Sequence, residues 1–279
     1  MNSSLSRRGF LAAGAAALAS PPAAAALASP AGSPKKGACF VVRDGNGWRS
    51  RVTKLNAKWH YSWGSNKPAD MPSGIEYCPM IWGDGRDDKL ASVLERLKQQ
   101  YENDEIRYLM GFNEPDSANQ SNMSVERVVD LWPQLMETGI PLVSPGCVHP
   151  DREWMRNFMG LVEQQNLRVD FIAVHSYGGP NPEALVKRLE KVHREFGRPL
   201  WITEFAVGDW RAKKAEENRH SPETIVRFMR ELLPALEELD FVKRYAWFSA
   251  KQTNRALGTS ALFDMQGGLT QLGEIYAAA

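Results

Sequence analysis

Two glutamates in this chain have the type and placement to do chemistry. One closes the run Gly111-Phe112-Asn113-Glu114 and is followed by Pro115-Asp116; the other lies in Trp201-Ile202-Thr203-Glu204-Phe205. Both runs read as β-strands, and Pro115, which has no N–H to give a ladder, stops pairing just after the first carboxylate. Two carboxylates fixed at strand ends can divide the work of breaking a glycosidic bond. One, kept protonated by apolar surroundings, gives its proton to the leaving oxygen, while the other attacks the anomeric carbon. Either glutamate alone, among 33 acidic residues, reads as readily as solvated surface. The pair at matching strand ends is what marks a site.

Other residues could serve that pair. In Val174-His175-Ser176-Tyr177, period-2 alternation puts His175 and Tyr177 on one face, where either can hydrogen-bond a carboxylate and hold it ionised. Trp63, Trp82 and Trp247 close or lie on strands, and their flat faces suit the C–H faces of sugar rings; core packing is the competing role for each of the nine tryptophans. Alternation from Glu204 sends Trp201 to the opposite face, toward helices. Asp116 either orients the neighbours of Glu114 or caps the loop that follows. Lys35-Lys36 and Lys213-Lys214 read as solvated surface. Cys39, Cys78 and Cys147 each sit in an apolar run and read as buried thiols. There is no Cys-x-x-Cys, the five histidines are scattered, and no glycine-rich phosphate loop follows the first strand, so neither a metal nor a cofactor is expected.

These side chains need a scaffold. Strand-like runs fall at 37–42, 58–63, 77–82, 108–113, 141–147, 170–177, 200–205 and 244–249. Helical patterns fall at 87–101, 124–137, 152–166, 182–197 and 221–239. The first carries Leu90, Val93, Leu94, Leu97 and Tyr101 on one face. The fourth has Pro182 at its start and Gly197 at its end, and Ser221-Pro222 opens the last. Eight strands mostly separated by amphipathic helices predict an α/β protein, a single (β/α)8 TIM-type barrel; an open doubly wound sheet is the alternative. In such a barrel reactive groups stand at the C-terminal strand ends, and strands four and seven face each other across the mouth.

The chain has 279 residues, 43% hydrophobic and 24% charged, enough for one large domain or two small ones. Ser6-Arg7-Arg8-Gly9-Phe10-Leu11, followed by an Ala-rich run to Ala28, reads as a twin-arginine-type signal peptide over 1–28; a disordered Ala-rich tail is the other reading. Residues 29–36 form a linker and 37–279 the catalytic domain. The expected product is secreted or periplasmic, monomeric and free of the membrane once the signal is removed. The formal charge of +1 becomes −1 without Arg7 and Arg8, which gives no electrostatic reason to bind nucleic acid.

The chain resembles the family 128 glycoside hydrolases. The resemblance is carried by Ala57-Lys58-Trp59-His60-Tyr61-Ser62-Trp63-Gly64, Glu76-Tyr77-Cys78-Pro79-Met80-Ile81-Trp82-Gly83, Gly111-Phe112-Asn113-Glu114-Pro115-Asp116, His175-Ser176-Tyr177-Gly178 and Trp201-Ile202-Thr203-Glu204-Phe205. It implies an endo-β-1,3-glucanase acting on β-glucan with retention. Glu114 would be the acid/base, Glu204 the nucleophile and Asn113 the ligand of the sugar 2-hydroxyl. Ser176 stands where many relatives are expected to carry a bulky aromatic. Retention predicts carboxyl groups about 5 Å apart. A non-catalytic glucan-binding protein on the same barrel, or a hydrolase of another β-linked glucan, is the rival reading.

Overall fold

A computed structural model describes residues 32–85 and 87–279. The expected signal peptide over 1–28 and the first residues of the expected linker lie outside the described residues. Eight strands follow in order: β1 (Lys36–Cys39), β2 (Trp59–Tyr61), β3 (Glu76–Tyr77), β4 (Leu109–Met110), β5 (Leu142–Val143), β6 (Ile172–Ser176), β7 (Leu200–Phe205) and β8 (Val242–Trp247). Seven α-helices accompany them among the described residues: α1 (Trp48–Lys54), α2 (Asp87–Glu102), α3 (Val125–Glu137), α4 (Glu153–Gln164), α5 (Pro182–Phe196), α6 (Pro222–Glu238) and α7 (Gln271–Ala278). The β2–β3 connection has no helix; Gly64, Pro68, Pro72 and Gly74 break it up.

Regular ladders run β3-β2-β1-β8-β7-β6, with β4 and β5 paired separately, all parallel. Isolated parallel bridges join the two sets: Met80 to Met110 on one side, Val143 to Phe171 and Cys147 to Val174 on the other. Every strand therefore meets its chain neighbour and β8 meets β1, the (β/α)8 arrangement expected from the sequence. Strands β3 and β5 are far shorter than their apolar runs because Pro79, Pro141 and Pro145 donate nothing to a ladder.

The core has two parts. Cys39, Trp59, Tyr61, Met80, Met110, Ala173, Trp201 and Ala246 fill the barrel, and a larger cluster packs the sheet against the helices. Gly37 makes the first possible, since a Cβ there would stand 2.1 Å from the Trp59 ring. Trp201 thus points into the barrel, not toward the helices as alternation predicted. The cause is a bulge: pairing advances from Ala173 to His175 on β6 while β7 advances from Trp201 to Glu204, and β7 gains the same extra residue against β8. Trp201 and Glu204 consequently share the inner face. Lys35 and Lys36 are also corrected. The Lys35 ammonium donates to the carbonyls of Leu236, Glu237 and Leu239 at the end of α6. Fully buried Lys36 donates to Tyr276 and Ala277 at the end of α7. Both neutralise the negative helix ends, and burial first of all brings the Lys36 pKa down to about 8. Lys213 and Lys214 are exposed as expected, and all three cysteines are buried and free. No described helix is long and apolar enough to cross a membrane.

Candidate active site

Glu114 follows β4 with φ +42°, a left-handed conformation that costs a residue with a Cβ on the order of 1 kcal/mol. Its N–H donates to the Gly146 carbonyl at 2.8 Å, which fixes the turn. Asp116 accepts the N–H groups of Val148 and His149 at 2.9 and 3.0 Å and so holds the loop after β5. Glu204, near the end of β7, is 4% exposed. Its Oε1 accepts from the Trp63 indole at 2.7 Å and the Tyr61 hydroxyl at 3.0 Å, and its Oε2 accepts from the Tyr177 hydroxyl. Three neutral donors thus hold a buried carboxylate without cancelling its charge. Trp63 reaches it from a left-handed backbone, φ +58°.

His175 joins the two acids. Its Nδ1–H donates to Glu114 at 2.9 Å, and its Nε2 lies 3.7 Å from Glu204. Room for the ring comes from Gly146, where a Cβ would stand 2.7 Å from Nε2. Burial pushes the imidazole toward neutrality, but the charges of Glu204 and Glu114 outweigh it and raise its pKa above the ordinary value. Burial, and after it the charge of Glu204, drives the Tyr61 and Tyr177 phenols well up, so both remain protonated donors. One ligand atom each from Glu114, His175 and Glu204 fall within 4.8 Å of one another, a spacing that could hold a metal ion. The Glu204 oxygens and His175 Nδ1 are engaged in the hydrogen bonds above, and His175 Nε2 has no hydrogen-bond partner.

The acids open into a cleft of about 740 Å³. Trp63, Trp82, Asn113 and Tyr177 line it, as the sequence suggested. Trp82 is 42% exposed. Asn113 is buried, donates its amide to Gln120 at 3.2 Å and leaves Oδ1 without a partner. His175 is fully buried beneath the cleft and contacts the two carboxylates; it is not among the residues that line the cleft. Trp247 is not in the cleft. It is 1% exposed, packs on Phe205 and Phe228, and donates its indole N–H to Ser260. Ala246 faces the barrel interior, so its neighbour must face the helices, and the aromatic that lines the cleft here is Phe248, just past the end of β8.

Three contributors were not singled out from the sequence. Tyr61 could have been, since it sits two residues before Trp63 on one strand face. Trp210, 56% exposed, comes from the loop after β7, where no periodicity points to it; it donates to the Tyr177 carbonyl at 3.1 Å. Gln120 lies in an irregular turn.

The sequence model of a glycosyl hydrolase catalytic core matches residues 37–276. Alkali-sensitive linkage protein 1 of Schizosaccharomyces pombe is 26% identical over 253 residues, 87% of this chain and 44% of that protein, so the chain spans less than half of that relative. A subgroup I family 128 endo-β-1,3-glucanase variant from Amycolatopsis mediterranei, crystallised with laminarihexaose, is 33% identical. It superposes with a TM-score of 0.76 over 88% of this chain and 100% of that one. A subgroup II endo-β-1,3-glucanase of the same family from Sorangium cellulosum is 26% identical, with a TM-score of 0.69 over 88% and 98% of the two chains.

Proposed function

The chain belongs to glycoside hydrolase family 128, and from that membership we propose that it is a retaining endo-β-1,3-glucanase. The observation that carries the reading is the closeness of the two acids. A Glu114 oxygen comes within 4.8 Å of a Glu204 oxygen. Retention needs about 5–5.5 Å between the carboxyl groups, and inversion needs roughly 6.5–9.5 Å to admit a water. The laminarihexaose bound by the Amycolatopsis relative supports the choice of β-1,3-glucan.

In the first step protonated Glu114 gives its proton to the glycosidic oxygen while Glu204 attacks the anomeric carbon. The carbon–oxygen bond breaks, the leaving chain departs as an alcohol, and a glycosyl ester forms on Glu204. In the second step Glu114, now a carboxylate, takes a proton from water as the water oxygen attacks the same carbon and frees Glu204. Trp63, Tyr61 and Tyr177 fix the nucleophile's aim through neutral hydrogen bonds. The unpartnered Oδ1 of Asn113 accepts from the 2-hydroxyl, a bond that strengthens in the transition state. Trp82 and Trp210 offer exposed faces to sugar rings on either side. The 1–28 leader directs export of the enzyme.

Incubation of the enzyme with linear β-1,3-glucan, followed by proton NMR, tests this. β-Anomeric reducing ends should appear first. α-Anomers first would overturn retention and the roles of the two glutamates, and no new reducing ends would overturn hydrolysis of this linkage.

A further inference from the structure

Beside the main cleft lies a second cavity of about 210 Å³, and Gly178 and Arg188 line both. We propose that it is a side pocket for a single glucosyl branch, β-1,6-linked to the glucan chain in the main cleft. The inference rests on the reading of that cleft as a β-1,3-glucan site. Position comes first. Tyr177 binds Glu204, and the next residue, Gly178, stands at the boundary of the two spaces. A Cβ on Gly178 would meet nothing within 4 Å, so the boundary is open there.

Chemistry comes second. The pocket combines the Ser176 hydroxyl, the Asn181 amide and the Arg188 guanidinium with an apolar wall that includes Phe228. A sugar ring, with hydroxyls at its rim and C–H bonds on its faces, needs both kinds of surface. Asn181 spends its oxygen on the Ala184 N–H, which leaves its amide hydrogens to donate. Arg188 is held in place by Asp151, which accepts from Nε at 3.2 Å and from Nη2 at 2.8 Å. The volume is that of about seven liquid water molecules, room for one hexose ring and not for two. In a β-1,3-linked chain the 6-oxygen is free and stands on a rotatable exocyclic carbon. A substituent there can leave the cleft sideways, which is the direction this pocket requires.

Ala184 is exposed on α5 and lines the pocket but not the main cleft, so Ala184→Phe fills the pocket from a position outside the catalytic site. The test uses a β-1,3-gluco-oligosaccharide and the same chain with one β-1,6-glucosyl branch. Binding is read by titration calorimetry, and cleavage by new reducing ends. The wild type should bind the branched sugar about tenfold more tightly than the linear one, the effect of one or two added hydrogen bonds. Ala184→Phe should abolish that difference and leave binding and cleavage of the linear sugar unchanged. Equal binding of the two sugars by the wild type, or equal weakening of both in the variant, would overturn the side pocket alone. A wild type that neither binds nor cleaves either sugar would overturn the glucanase reading and this one together.

Discussion

At the N-terminal end of the barrel Glu76 meets Arg244 through two hydrogen bonds of 2.9 Å, and the guanidinium lies 4.4–5.3 Å from the ring centroids of Trp201, Tyr108 and Trp59. At the C-terminal end Glu204 meets two phenols and an indole, and its ion-pair partner among the described residues is His175 at 3.7 Å. Both glutamates sit among aromatic rings, yet one is matched by a permanent charge in bidentate contact and the other by neutral donors, with an imidazole 3.7 Å away. A permanently charged guanidinium in bidentate contact makes a plug. Neutral donors leave the carboxylate its negative charge and so its reactivity. At the mouth Trp63 and Glu114 are left-handed and β7 bulges. The same barrel thus spends one carboxylate on closing its floor and keeps another available.

Substitutions at the two ends should separate these roles. Glu204→Ala should lower kcat on the order of 10⁴-fold or more while the melting temperature holds; activity near wild type would end the nucleophile assignment. Arg244→Met should do the reverse. It strands Glu76 and costs about 2 kcal/mol, less than the roughly 3–5 kcal/mol of a fully buried pair because the two side chains are 13% and 22% exposed. Urea unfolding measures that loss, and an equal fall in kcat/KM of the folded fraction would blur the comparison. Tyr177→Phe removes one donor from a charged acceptor and should lower kcat/KM by roughly 10- to 100-fold with little loss of stability. The smallest effect concerns pH. His175 has a folded pKa above its ordinary 6.5, so folding holds its proton more tightly than the unfolded chain does. Its contribution is full below pH 6.5 and is lost as the pH rises through the folded value. The gap in melting temperature between the wild type and His175→Gln should therefore narrow toward alkaline pH; a gap that widens would contradict the raised pKa.

Much of this was legible in the residues because local rules held. β7 matches its apolar run end to end, and α5 and α6 begin at Pro182 and Pro222 behind side-chain caps from Asn181 and Ser221. The two acids stood out because each lies in or at the end of a run that reads as a strand; in the structure Glu204 lies within β7, and Glu114 lies four residues past the short β4. Helices α1 and α7 were not, being short and weakly patterned, with packing against the barrel in place of propensity. Trp201 was misplaced because alternation assumes a strand without a bulge. Trp247 was misplaced because its type suggested a sugar platform while its position, one residue past inward-facing Ala246, required the helix side. Trp210 was invisible because a loop has no period to read.

The extra residue in β7 makes chain length a variable that substitution does not probe. A regular pleat from Trp201 would turn the side chain three positions on toward the helices. The bulge returns it to the lumen, where the single hydroxyl of Tyr61 reaches both the Thr203 carbonyl and the Glu204 carboxylate. Replacing Thr203 with alanine interrogates a side chain; deleting it interrogates a phase. Two barrels of this kind can share every reactive residue and differ in whether one of them is aimed, so a one-residue gap at 202–203 in an alignment says more about activity than most mismatches around it.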